Sequence, residues 1–590
     1  MSNNADHTAS APTTNGVMEH YEYPEPPSDG PYRILNQYHS KPRKIRIACA
    51  GAGASGLCLV YKIQKTLVPD SWELNIYEKN AQIGGTWYEN TYPGVACDIP
   101  AHIYTYTFDP KPDWNHYYAH GDEIQRYFEG FAERYGCHKY ITLKTRVVHA
   151  EWQSAEAIWK LTLQNQGTKE EWHDWAHCFI NATGILNKWK WPELPGLDDF
   201  QGHLMHSANW NHDINLARRT VGVIGTGSSS VQIVPELQKS CKQVQVYMRS
   251  PTWITGPFGS GPMASDLTHE TQNQYTFTEE DKKKFKEDKE YHLNFRKRTE
   301  AEFNALFGAY QQGSELNNYF RKVLTDLISE KIGPEHPELK NFMVPTFSPG
   351  CRRLTPGNGF LEALVSPNVE PITAKIESVT RDGIRVRNPD GTETERKMDV
   401  LICATGFSPA FKPPFQLING EGKAFGDDWT NGPNLYFGIS APRYPNYYTI
   451  TGPGATWSNG TLLPGIETSI EHILKLVKKI QHEGIESIEV KQEALDDIYS
   501  HLDEYHKTTV WQENCRSWFK DGKMNGRIFV WPGSTIHFLK SIKDPRMEDF
   551  NIKYRYGNRF AFLGDGSVKA TASRELAPYI RESDHEWSIE

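Results

Sequence analysis

The fold of this chain is decided by residues 45–56, which read IRIACAGAGASG. A mostly apolar stretch runs into a glycine-rich turn, and apolar residues follow at helical spacing at Leu57, Val60, Ile63 and Leu67. A lone turn of this kind also occurs in ordinary strand-to-helix connections, but this context favours a dinucleotide-binding unit, whose helix N-terminus holds the pyrophosphate. The predicted contacts come from Gly51, Gly53, Ala54, Ser55 and Gly56.

The residue that ends the next strand indicates which nucleotide such a turn binds. After the first turn, residues 74–78 end in Glu78, and an acid there accepts both hydroxyls of an adenosine ribose, as in FAD. A second turn lies in residues 221–230, VGVIGTGSSS, and its next strand ends in Arg249, which suits the 2′-phosphate of NADPH. The sequence therefore predicts NADPH-driven flavin redox chemistry. The predicted NADPH contacts are Gly225, Thr226, Gly227, Ser228, Ser229, Ser230 and Arg249.

Composition excludes several classes of function. A net charge of −9 argues against nucleic acid as a partner. The nine cysteines show no CxxC spacing, which indicates neither a zinc site nor a dithiol redox centre, and no metal is expected. No apolar run approaches the roughly 20 residues that span a bilayer, and the N-terminus lacks a signal-peptide pattern. We therefore expect a cytoplasmic protein with no membrane partner, in a reducing setting.

A repeated sequence motif suggests how the 590 residues are divided into domains. Residues 178–184, CFINATG, resemble residues 400–406, VLICATG, so we expect the second nucleotide domain to be inserted between two strands of the first. The predicted fold class is α/β, with two Rossmann-like dinucleotide-binding domains. The predicted parts are an N-terminal extension (1–42), an FAD domain (43–190 and 395–500), an NADPH domain (200–394) with a helical insertion (about 262–340), and a C-terminal segment contributing to the active site (501–590).

Three further motifs carry a resemblance to a known family. Residues 200–210, FQGHLMHSANW, resemble the FxGxxxHxxxW signature of Baeyer–Villiger monooxygenases, although Asn211 stands where that family usually has Pro or Asp. Residues 84–87 (GGTW) and 92–98, with YPG followed by Asp98, match a second pattern of the family. The resemblance covers roughly residues 45–480. The N-terminal extension and residues 98–102 (DIPAH) look similar to fungal members, which suggests secondary metabolism. For His206 within the signature, a packing role is favoured over direct chemistry.

The resemblance implies insertion of one oxygen atom from O₂ next to a ketone carbonyl, giving an ester or lactone, through NADPH and a C4a-peroxyflavin. It implies that Arg353 is the active-site arginine and that Asp98 lies against it and the flavin. Arginine suits this task because it keeps its charge in a dry pocket and can stabilise an oxyanion. Arg352 is expected to join Arg249 at the 2′-phosphate. Taken alone, the arginine pair would be read as a solvated surface turn.

The same resemblance extends the predicted cofactor contacts. It adds Gly85, Thr86, Trp87, Asp98 and Tyr104 near the flavin, and Trp518 as an aromatic residue closing over the nicotinamide. Trp518 can equally be a core residue in a chain with 17 tryptophans. Two other functions stay open: a flavin-containing monooxygenase that oxidises nitrogen or sulfur, and a catalytically silent nucleotide-binding protein.

Overall fold

The computed structural model describes residues 32–583, except for 258–275, 409–410, 428, 430–431, 458, 574–575 and 582. Most of the predicted N-terminal extension therefore lies outside the described residues. Its described end packs against the C-terminal part, where the amide of His39 donates to the carbonyl of Ser567 at 2.8 Å. Within the described residues, no helix is both long and apolar enough to cross a membrane.

The first glycine-rich turn follows the central strand of a five-stranded parallel sheet. The helices Ala54–Thr66, Gly121–Arg134 and Leu463–His482 pack their apolar residues into the core of this unit. A parallel arrangement requires such crossover helices, and the first of them connects two neighbouring strands. In spatial order the strands are Tyr447–Thr449, Cys178–Asn181, Ile45–Ala50, Trp72–Tyr77 and Ile141–Thr142.

The second turn follows a strand of another five-stranded parallel sheet. The helices Ser228–Gln238 and Phe360–Leu364 pack in its core. Two parallel sheets with crossover helices confirm the predicted α/β fold class. In spatial order the strands are Val369–Ile372, Gln243–Tyr247, Thr220–Ile224, Val400–Cys403 and His203–His206.

The two copies of the ATG motif follow strands at equivalent positions in different sheets. This placement corrects the predicted domain boundary at residue 395. Cys178–Asn181 pairs with the strand before the first turn, whereas Val400–Cys403 pairs with Thr220–Ile224, the strand before the second turn. The prediction that the first domain resumes at residue 395 is therefore wrong. Each copy of the motif pairs with the strand that precedes the glycine-rich turn of its own sheet. The chain returns to the first sheet at Tyr447–Thr449.

Smaller elements complete the architecture. One four-stranded sheet contains Gln416–Ile418, Thr145–Gln153, Ile158–Asn165 and Glu171–Ala176. A three-stranded sheet contains Lys375–Val379, Gly383–Arg387 and Glu393–Lys397, and two-stranded pairs join Ile254–Thr255 to Thr355–Pro356 and Ile485–Val490 to Phe550–Tyr554.

The remaining helices lie mostly between the strands of the second sheet and in the C-terminal part. Between residues 279 and 343 they are Glu279–Glu287, Lys289–Ala305, the 3-10 helix Leu306–Tyr310, Glu315–Ile332 and Pro337–Met343. Later α-helices are Gln492–His506, Thr535–Ile542 and Lys569–Ser573, and an earlier one is Thr86–Glu89. Other 3-10 helices are Cys137–Tyr140, Leu197–Asp199, Val510–Gln512, Trp518–Lys520, Met547–Asp549 and Ala561–Leu563.

Candidate active site

The first turn brings strand and helix so close together that side chains cannot fit at its outer glycines. A Cβ at Gly51 would lie 2.6 Å from the carbonyl oxygen of Ala182, and one at Gly56 would lie 2.2 Å from that of Gly51. The helix begins at Ala54 after Gly53, and no side chain caps its first N–H groups. Ser55 lies in that first turn of helix. These free donors and the positive end of the helix dipole fit a pyrophosphate.

Glu78 holds the position beside the turn that a ribose would need. Its side chain is 3% exposed, and its two oxygens accept hydrogen bonds from the amides of Ala52 at 2.8 Å and Asn80 at 2.9 Å. Burial raises the pKa of this carboxyl. Each carboxylate oxygen keeps acceptor capacity after one such bond, so the group fits the hydroxyls of an adenosine ribose.

Residues 85–104 continue this site towards the interior. The backbone of Gly85 approaches the first turn so closely that a Cβ at Gly53 would lie 3.5 Å from its Cα. The helix Thr86–Glu89 begins immediately after it. Trp87 donates through Nε1 to the Tyr104 hydroxyl at 3.2 Å, and burial raises the pKa of that phenol. The predicted flavin-side residues therefore lie together around the first turn.

The second turn repeats this geometry with more open space. Gly225 has a φ of +131°, and a Cβ there would lie 2.4 Å from the Ala404 carbonyl oxygen. Gly227 begins the helix Ser228–Gln238 without a side-chain cap, and a Cβ on it would meet nothing within 4 Å. This free helix N-terminus fits a second pyrophosphate.

The polar side chains of the second turn are anchored to its surroundings. Thr226 donates to the Ser250 carbonyl at 2.9 Å, and the Ser228 hydroxyl lies 3.3 Å from that of Thr355. The Ser229 side chain lies beside the Tyr92 hydroxyl. Ser230 is fully buried where the helix packs on the sheet, so this small residue serves in the place of a third glycine.

Two guanidinium groups, those of Arg249 and Arg352, lie beside the second turn. Arg352 donates through Nη1 to the Ser250 hydroxyl at 3.2 Å and to the Pro251 carbonyl at 2.9 Å. Burial, and then the charge of the neighbouring Arg249, lower the pKa of Arg352. Among the described residues, no acidic group forms an ion pair with either arginine. Such a cationic pair fits a phosphate dianion.

A loop of the first nucleotide-binding unit, which contains the YPG motif, connects the second turn to Asp98. The hydroxyl of Tyr92 donates to Gln232 Oε1 at 2.9 Å, and Gln232 Nε2 donates to the Ala96 carbonyl at 2.9 Å. Gly94 has a φ of +81°, and a Cβ there would lie 2.6 Å from the Gln232 carbonyl oxygen. The YPG motif therefore packs this loop against the second nucleotide unit and directs Asp98 towards residues 350–354.

Arg353 and Asp98, 255 residues apart, form a bidentate ion pair. The Arg353 Nε lies 2.7 Å from Asp98 Oδ2, and Nη2 lies 2.9 Å from Oδ1. The carboxylate charge raises the pKa of Arg353, so the guanidinium stays charged. Its side chain remains 40% exposed because it borders a cavity. The structure thus presents a fixed cation to a ligand-sized space.

That cavity encloses about 560 Å³, including its open mouth. Its wall combines polar and apolar surface in nearly equal parts, and the side-chain oxygen of Asn459 is buried there with no hydrogen-bond partner among the described residues. Sequence reasoning missed most of this wall, because apolar residues in helices and loops look like ordinary core. The missed lining residues are Ile99, Phe303, Leu306, Tyr310, Gly350, Leu354, Trp457, Asn459, Gly460 and Phe519.

Two aromatic residues from the sequence analysis, Trp518 and His206, have well-defined surroundings in the structure. Phe519, rather than Trp518, is among the lining residues described for the cavity. Trp518 is partly buried and packs edge-on against Phe519 with ring centroids 4.5 Å apart. His206 stacks on Trp189 at 4.6 Å, accepts from the Ala208 amide at 3.1 Å, and has its pKa lowered to about 4 by burial. Its surroundings support the packing role.

One pair of cysteines forms a disulfide bond that the sequence analysis did not predict. Cys351 and Cys515 form a disulfide bond across 164 residues, whereas the other seven cysteines are free and buried. The absence of CxxC spacing gave no sign of this bond, because only the tertiary fold brings the two distant cysteines together. The bond lies two residues before Arg353.

Comparison with known proteins identifies the family. Residues 44–298 match the family model described as flavin-binding monooxygenase-like. The FAD-binding monooxygenase tazF of Aspergillus terreus is 37% identical over 531 residues, which cover 89% of this chain and 92% of the relative. A Baeyer–Villiger monooxygenase of Pseudomonas aeruginosa is 29% identical over 84% of this chain and 89% of its own length. The chain belongs to the FAD-binding monooxygenases, as the sequence predicts.

The fold has a counterpart of known structure. The NADP⁺-bound cyclohexanone monooxygenase of Rhodococcus sp. Phi1 aligns with a TM-score of 0.72 at 24% identity, covering 87% of this chain and all of that one. At this identity the likeness establishes the fold, and it extends over nearly the whole described chain.

Proposed function

We propose that this protein is a Baeyer–Villiger monooxygenase, which uses FAD, NADPH and O₂ to convert a ketone into an ester or lactone. The observation that carries the proposal is the Arg353–Asp98 ion pair beside the cavity. The names of the Pseudomonas and Rhodococcus proteins support the same reaction class. Oxidation of sulfur or nitrogen remains the alternative, and it requires no cation to polarise a carbonyl.

In this proposal the two five-stranded parallel sheets belong to two Rossmann-like domains, and each domain binds one cofactor. The first turn and Glu78 would hold FAD, and the second turn with Arg249 and Arg352 would hold NADPH. When bound, FAD reduced by NADPH supplies the oxygen-activating chemistry. The remaining catalytic work falls to side chains of this chain.

Arg353 would act on the ketone and on the charge that develops during the reaction. Its donors can polarise the carbonyl oxygen and stabilise the oxyanion after attack, because guanidinium does not lose its proton. Asp98 orients the planar fork through two hydrogen bonds and is the positioning partner. The apolar side chains of the wall, such as Leu306 and Phe519, would hold the body of the ketone and exclude water, which strengthens both interactions.

The reaction class is tested by mass spectrometry of products formed from NADPH, ¹⁸O₂, a panel of ketones and one thioether. We expect an ester or lactone that carries one labelled oxygen. Labelled sulfoxide with every ketone unchanged would contradict the proposal and favour heteroatom oxidation. A reaction without enzyme, containing free FAD and NADPH, controls for non-enzymatic peroxide.

Replacing Arg249 with alanine should raise the KM for NADPH about 10- to 100-fold, because a charge-assisted phosphate contact contributes about 1.5–3 kcal/mol. The KM for NADH, which lacks the 2′-phosphate, should change little. Steady-state kinetics with both coenzymes measure the difference. Arg385→Ala, on the three-stranded sheet, is the matched control. An equal loss for both coenzymes would place the 2′-phosphate elsewhere.

A further inference from the structure

The turn that carries Arg353 is fastened by a distant segment of the chain. Residues 348–353 form the arginine turn, and residues 510–519 form the C-terminal clamp. Trp511 Nε1 donates to the Gly350 carbonyl at 3.1 Å, and the Ser348 amide donates to Glu513 Oε2 at 2.6 Å. The Cys351–Cys515 disulfide is a third connection and the covalent one.

The opposite side of the arginine turn is equally confined. Gly350 has a φ of +91°, and a Cβ there would lie 2.7 Å from the Tyr310 ring. Tyr310 stacks on Trp511 with centroids 5.6 Å apart, so the turn lies in contact with both the helical insertion and the clamp. Cys351 and Cys515 are 0% and 1% exposed. The disulfide is therefore part of a closely packed support.

The disulfide joins two walls of the same cavity. Cys351 precedes Arg353 by two residues, and Cys515 precedes Phe519 by four, and both of these later residues line the cavity. The hydrogen bonds from Trp511 and Ser348 do not involve the sulfur atoms, so we expect them to persist when the S–S bond is cleaved. Reduction should therefore loosen the alignment of Arg353 without unfolding the protein. A misplacement of about 1 Å can cost about 100-fold in rate.

We propose that Cys351 and Cys515 are positioning residues whose oxidation state sets how efficiently the enzyme couples NADPH consumption to oxygen transfer. The proposal rests on the proposed function. In the oxidised state the disulfide holds Arg353 in place. In the reduced state a larger share of the electrons from NADPH reduces O₂ to hydrogen peroxide instead of driving oxygen transfer. Two thiols and one hydrogen peroxide give the disulfide and two waters, and a small dithiol reductant returns two electrons and two protons to cleave it.

The test compares FAD-loaded enzyme before and after treatment with dithiothreitol, followed by removal of the reductant under argon. Alkylation and peptide mass spectrometry report the state of the pair, and the ratio of ester formed to NADPH consumed reports coupling. We expect coupling to fall about three- to tenfold on reduction, with FAD content unchanged. Released peroxide should rise correspondingly.

Variants separate positioning from mere stability. Cys351→Ser and Cys515→Ser should each show low coupling that no longer responds to dithiothreitol, whereas Cys241→Ala, at a free buried cysteine, should behave like the parent. Equal coupling in both redox states, or both thiols alkylated in the air-oxidised parent, would overturn the proposal. Loss of FAD together with coupling would show a structural role only and would also overturn it.

Failure of the proposed function has a different signature. In that case no ester forms in either redox state, and the ratio of sulfoxide to NADPH is measured instead. A sulfoxide ratio that is independent of redox state would then overturn the positioning role as well. A ratio that depends on redox state would support it for the alternative reaction.

Discussion

Replacing Arg353 with alanine should abolish ester formation and leave NADPH-dependent flavin reduction nearly intact. The guanidinium is needed once the carbonyl is attacked, because the charge then develops on the carbonyl oxygen. Loss of a single oxyanion donor typically costs about 100- to 1,000-fold in rate, and here the charge is lost with the donors. Hydride transfer from NADPH to the flavin does not involve the ketone, so it does not require the Arg353 guanidinium.

Two measurements check this expectation: anaerobic stopped-flow reduction by NADPH, and product analysis with a ketone under air. Arg353→Lys is the informative companion variant, since lysine keeps the charge but cannot form the bidentate fork with Asp98. It should retain part of the activity. Ester production by Arg353→Ala at the parent rate would remove this residue from the mechanism.

Replacing Gly53 with leucine should give a nearly colourless protein that lacks FAD. The backbone at Gly53 has a φ of −80°, which leucine can adopt, and a Cβ would make only an ordinary 3.5 Å contact with Gly85. The fold should therefore survive, while the side chain blocks the approach of the pyrophosphate to the helix N-terminus. Overpacking of this kind costs about 1–3 kcal/mol, or about 5- to 150-fold in FAD affinity.

The matched variant is Gly227→Leu, at the same position of the second turn, where φ is −85°. It should stay yellow and lose affinity for NADPH instead. The visible absorbance of the purified proteins and titration with FAD distinguish the two, and circular dichroism checks the fold. Retained FAD in Gly53→Leu, or loss of FAD in Gly227→Leu, would contradict the assignment of the turns.

Much of the candidate site could be predicted because its parts are local. A strand, a glycine turn and a helix are consecutive in sequence, so the demand for glycine at positions 51 and 56 is already encoded in residues 45–56. The acid and the base that end the next strands, Glu78 and Arg249, follow at short distance. Arg353 and Asp98 came from matching motifs, and only the fold shows that they form an ion pair.

The sequence by itself therefore determined the α/β class, the family and the two glycine turns, since each depends on neighbouring residues. The tertiary structure decided that residues 400–403 join the second sheet, that Phe303 and Phe519 border a cavity, and that Cys351 meets Cys515. Strand pairing, cavity walls and disulfides depend on contacts between residues far apart in the chain. An apolar or thiol side chain does not reveal its distant partner until the whole chain packs.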